Sequence, residues 1–119
     1  MTKILPVLLI ILLMQGCATN KPTLYSWGNY EQLIYQSYAN PGKSSPEEQV
    51  LKLEADAQIA KSNNKALPPG FHAQVGLLYF QTGKLDQARQ AFITEEELFP
   101  ESKQFMDRLI AKTKNGGAL

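Results

Sequence analysis

FHAQVGLLYFQTGKLDQARQAFITEEELFP, residues 71–100, is the stretch whose reading decides the fold. Thr82-Gly83-Lys84 divides it as a turn, giving one helix over residues 71–81 and another over about residues 85–98. Pro100 stops the second, because its ring removes an N–H and clashes with the preceding turn. Before this hairpin, Lys65-Ala66-Leu67-Pro68-Pro69-Gly70 is a stiff connector, since two consecutive prolines cannot continue a helix. After it, Glu101-Ser102 begins a last helix with Phe105, Met106, Leu109 and Ile110 on one side, and residues 115–119 are expected to be disordered.

Two further helices are expected upstream. Trp27, Tyr30, Ile34 and Tyr38 recur at i, i+3, i+7 and i+11, a helical stripe that Asn40-Pro41-Gly42 ends. Ser26 or Asn29 is placed to cap it, and Asn29 with Gln32 has capping-box spacing. Four of the five tyrosines lie between positions 25 and 38, and an aromatic core seam is favoured there over an aromatic contact surface. The next helix has the clearest start in the chain: Ser45 as cap, Pro46 at the first helical position and Glu48 completing Ser-x-x-Glu. Val50, Leu53, Ala57 and Ala60 mark its buried face, and the two elements are expected to form an antiparallel hairpin. The fold class is all-α: antiparallel hairpins, about five short helices, one domain over residues 24–114.

Net charge is +1 and charged residues make up 19%, so overall charge gives no electrostatic footprint for nucleic acid or anionic lipid. The one histidine, His72, has no catalytic companions in the pattern, and no metal-ligand spacing or phosphate-binding glycine loop is present. Glu95-Glu96-Glu97 reads as a solvated charge run. No enzyme, cofactor, metal or small-molecule substrate is expected.

The amino-terminal residues point to a compartment. Lys3 followed by eleven residues of apolar character, 4–14, has signal-peptide form and falls short of the roughly 20 residues a membrane span needs. The only cysteine follows at once, and Leu13-Met14-Gln15-Gly16-Cys17 resembles the lipobox of bacterial lipoprotein precursors. The resemblance implies cleavage between Gly16 and Cys17, removing residues 1–16, and fatty acylation (palmitate type) of Cys17. Residues 17–23 then form a lipidated tether. Ala18, where an Asp retains lipoproteins at the inner membrane of many Gram-negative bacteria, implies sorting to the outer membrane, with the domain facing the periplasm. Cleavage lowers the basic count from 12 to 11, equal to the 11 acidic residues.

Residues 71–100 also resemble a tetratricopeptide repeat, in which two antiparallel helices form a unit of about 34 residues. Gly76 stands at the small crossing position with Tyr79 three residues on, Gly83 in the turn, Ala88 at the second small position, Phe92 at the large one and Pro100 at the stop. His72 occupies the usual Trp position and Glu95 replaces a small residue. The mature chain as a whole resembles a small family of bacterial envelope lipoproteins known as a domain of unknown function of the 4810 type. That resemblance rests on Leu24-Tyr25-Ser26-Trp27-Gly28-Asn29-Tyr30, Pro68-Pro69-Gly70-Phe71-His72-Ala73 and Glu97-Leu98-Phe99-Pro100-Glu101-Ser102. It implies a neighbour similar to the curli secretion channel, because members are often encoded beside such a lipoprotein.

The function expected from all this is a protein-binding adaptor or subunit of an envelope assembly, with Trp27, Tyr30, Phe71 and His72 as candidate partner contacts. The alternative is an accessory lipoprotein that activates a cell-wall or export enzyme. A structural subunit of an oligomeric channel is the third reading. A groove lined by Tyr30, Tyr38, Phe71 and Tyr79 would favour the adaptor; burial of all four would favour the channel subunit.

Overall fold

The computed structural model describes residues 22–116. Five α-helices carry that chain: α1 (Tyr30–Ala39), α2 (Pro46–Ser62), α3 (Phe71–Gln81), α4 (Leu85–Leu98) and α5 (Lys103–Lys114), with a 3-10 turn at Pro100–Ser102. The fold is all-α, and its β structure among the described residues is one isolated parallel bridge, Tyr25 to Ala66. The expected signal segment, Gly16, Cys17, Ala18 and the last three residues of the tail lie outside the described residues.

The start of α2 follows its sequence. The Glu48 N–H donates to Ser45 Oγ at 3.2 Å, and Pro46 occupies the first turn. The reciprocal half of the capping box does not form; the Glu48 carboxylate turns instead to Lys52 Nζ at 2.9 Å. Both groups of that pair are exposed, so it adds little stability. Asn29 precedes α1 but makes no side-chain cap bond, which corrects the expected box with Gln32.

Two apolar clusters form the core. Leu33, Val50, Leu53, Phe71, Val75 and Leu78 join α1, α2 and α3. Phe80, Ala88, Phe92, Met106 and Leu109 join α3, α4 and α5, and Tyr79 packs against both clusters. Close approach of α3 and α4 depends on Gly76: a Cβ there would lie 2.6 Å from Phe92 Cδ1 and 3.1 Å from the Ala88 carbonyl oxygen. Ala88 and Phe92 are both fully buried at this crossing.

Three expectations need correction. In α1 the buried residue is Leu33, and Tyr38 is 83% exposed. A ten-residue helix held through Tyr30 and Leu33 leaves Ile34 half-buried and Trp27 and Tyr38 exposed, and α1 does not run closely alongside α2. In α5 the inward face is Met106, Leu109 and Thr113, at i, i+3 and i+7, which turns Phe105 outward. At the end of α5 the Asn115 N–H donates to the Lys112 carbonyl at 3.2 Å.

Candidate functional site

Two buried carboxylates set the geometry at the α1/α3 end. Gly70 precedes α3 in the left-handed region at φ 89°, and a Cβ on it would meet Tyr30 Oη at 2.8 Å. Glycine brings no capping side chain, so the first N–H groups of α3 need acceptors from elsewhere. Glu95, on α4 and 2% exposed, supplies them. One oxygen accepts from Gly70 N–H at 2.6 Å; the other accepts from His72 N–H at 3.2 Å and Ala73 N–H at 3.3 Å. Carboxylate against a helix start is also favourable to the helix dipole. The solvated reading of the glutamate run therefore fails at Glu95, which is interior, and holds at exposed Glu97.

Asp56 on α2 acts alike for the entry to α1, accepting from Asn29 N–H at 2.7 Å and Asn29 Nδ2 at 3.0 Å. The third tie is between Tyr79 and Glu54, whose carboxylate accepts from the phenol. Burial first, and then the Glu54 contact, push the Tyr79 phenol up to about 12. Burial lowers the pKa of His72, with the Glu95 charge opposing. Burial and then Glu95 raise that of Tyr30.

The expected contact residues come together but do not share one surface. Trp27 stacks on Tyr30 at 6.2 Å between ring centroids, Tyr30 tilts against Phe71 at 5.7 Å, and Phe71 meets His72 edge-on at 5.6 Å. Phe71 is 1% exposed, so its ring is core and not a contact. Tyr30 and His72 are half-buried, and Trp27 is 37% exposed. The imagined groove of Tyr30, Tyr38, Phe71 and Tyr79 does not exist, because one of the four is wholly inside and Tyr38 stands in solvent.

Two hollows flank this ribbon. Near its outer end, a hollow of about 410 Å³ is lined by Tyr25, Ala57, Ala60, Leu67, His72, Leu98 and Phe99, with Lys61 and Lys65 at the rim. At the other end of α1, one of about 380 Å³ is lined by Ile34, Tyr38, Pro41, Leu77, Gln74 and Gln81 among others, and no charged residue lines it. Among the described residues no cluster of three His, Cys, Asp or Glu could hold a metal ion.

The family described as Domain of unknown function (DUF4810) matches residues 24–109, which includes all of α1 to α4 and the buried face of α5 up to Leu109. The chain belongs to this family. Neither a curated protein nor a solved structure matches it. The DUF4810 match spans both hollows and both buried carboxylates.

The sequence held a signal for both carboxylates. Asp56 lies three residues after Leu53 and four before Ala60, on the very stripe that marks the buried face of α2. Glu95 is marked by what α3 lacks: a helix starting after Pro-Pro-Gly has no Ser, Thr, Asp or Asn to cap it.

Proposed function

We propose that this DUF4810 protein is a lipid-anchored adaptor of the bacterial envelope. Cleaved before Cys17 and acylated there, it is held at the inner leaflet of the outer membrane, with its helical domain in the periplasm. In this role it binds an extended, uncharged segment of another envelope protein in the hollow beside Tyr38. The lipoprotein similar to the curli secretion channel is the first candidate.

The observation that carries this reading is the lining of that hollow. Tyr38, Ile34 and Leu77 offer apolar and aromatic area, while Gln74 and Gln81 offer amide donors and acceptors suited to a peptide backbone. An aromatic left 83% exposed at the edge of such a hollow is the kind of side chain that anchors partners. The α3/α4 crossing at Gly76 is compatible with a tetratricopeptide-like unit, and helical repeats of that kind present contact surfaces.

The test is a binding titration of the curli-channel-like lipoprotein against the adaptor and its Tyr38→Ala variant. Loss of at least about 1 kcal/mol, or fivefold in Kd, is expected with the fold unchanged. A photoreactive residue at Gln81 should give an adduct in intact cells that Tyr38→Ala removes. Unaltered affinity together with an unaltered adduct would count against the hollow as the binding surface.

A further inference from the structure

We infer that the end of the domain where the tether enters, around Trp27, rests directly on the lipid surface, so that the hollow beside Tyr38 points away from it. This stands on the lipid-anchor reading above. Pro22 follows Cys17 by five positions, and a fully extended chain of that length spans at most about 18 Å. The described domain thus begins within that distance of the acylated residue, whatever path the chain takes.

The composition of this end suits a bilayer interface. Leu24 is 77% exposed, Leu98 56% and Trp27 37%. Tyr25 joins them into one patch, touching Trp27 edge-on at 6.3 Å and Phe99 at 6.4 Å. Lys61 and Lys65 border the same patch and are exposed. Among the described residues the ion pairs are made by Lys52, Arg89 and Lys103, so neither of these two lysines has a carboxylate partner there. Tryptophan and tyrosine with an aliphatic surface and lysines reaching outward form the usual interfacial combination. The hollow at the far end of α1 has no lysine or arginine in its lining. Glu97 beside Leu98 is exposed as well, so the apolar and aromatic groups carry most of the contact and anionic lipid adds to it.

Trp27 is the only tryptophan in the chain, so its emission reports this end alone. The acylated full-length mature protein would be reconstituted into phosphatidylcholine vesicles, with and without phosphatidylglycerol, carrying brominated or ordinary acyl chains. Bromine near the interface is expected to quench Trp27 at least about twofold, as for an interfacial indole. Replacing both lysines (Lys61→Glu with Lys65→Glu) is expected to weaken the quenching in phosphatidylglycerol vesicles. Equal emission in brominated and ordinary vesicles, from protein shown to be acylated by mass spectrometry and vesicle-bound by flotation, overturns the inference. So does emission that shifts only when envelope proteins are added, which would make this end a protein interface. Protein lacking acyl chains on Cys17 instead overturns the anchor, and the inference falls with it.

Discussion

At Glu95, a carboxylate with 2% exposure gives both of its oxygens to backbone N–H groups at the start of one helix. Taking a charge out of water is costly, and three donors against a helix dipole are what offset it. Removing the side chain leaves those donors without acceptors in the interior. Glu95→Ala is therefore expected to lower unfolding free energy by at least about 2 kcal/mol in a urea titration. Glu95→Gln should cost less, since it keeps one acceptor oxygen. His72, packed beside it, gives a pH signature. Burial lowers its pKa in the fold below the ordinary 6.5. The unfolded chain therefore takes up a proton first as pH falls, so the contribution of neutral His72 is whole above about 6.5 and is lost below it. His72→Gln should flatten the loss of melting temperature over that range. An equal slope in both proteins would show that His72 does not set the pH dependence.

Helices were legible where local chemistry and burial agree. The boundaries of α3 and α4 follow directly from Gly70, the Thr82-Gly83-Lys84 turn and Pro100, and α2 begins where Ser45-Pro46 says it does. Gly76 was legible as a crossing position because only a missing Cβ admits the Phe92 ring there. Gly76→Leu should overpack that crossing by about 1–3 kcal/mol, read as a lower urea midpoint with helical circular dichroism retained. An unshifted midpoint would mean that α3 and α4 can separate at no cost. The face of α1 was not legible. Its aromatic residues fit two helical stripes, and which one turns inward depends on where Phe71 and Leu53 wait, not on spacing. The burial of two aromatic residues was not legible for the same reason: Phe71, expected as a contact, is core, while Tyr38, expected on the buried stripe, is exposed.

On the scale of the molecule, the tether leaves from one end and the uncharged hollow lies at the other end of α1, an arrangement that suits an anchored protein presenting a binding surface to the periplasm. No helix among the described residues is long and apolar enough to cross a membrane, so in this reading attachment falls to the acyl chains of Cys17. Each buried methylene contributes about 0.8 kcal/mol and two chains already suffice for stable anchoring. Cys17→Ser should therefore abolish labelling by a palmitate analogue and leave an unprocessed precursor, because the sulfur is the atom that takes the diacylglyceryl group. Its uncleaved apolar stretch, residues 4–14, should keep that precursor associated with the inner membrane. Ala18→Asp separates address from anchor. It lies outside the described domain, so folding should be unchanged while fractionation moves to the inner membrane in a host that reads that residue. Label retained by Cys17→Ser would remove the anchor; full labelling of Ala18→Asp with unaltered outer-membrane fractionation would remove only the sorting rule and leave the anchor standing.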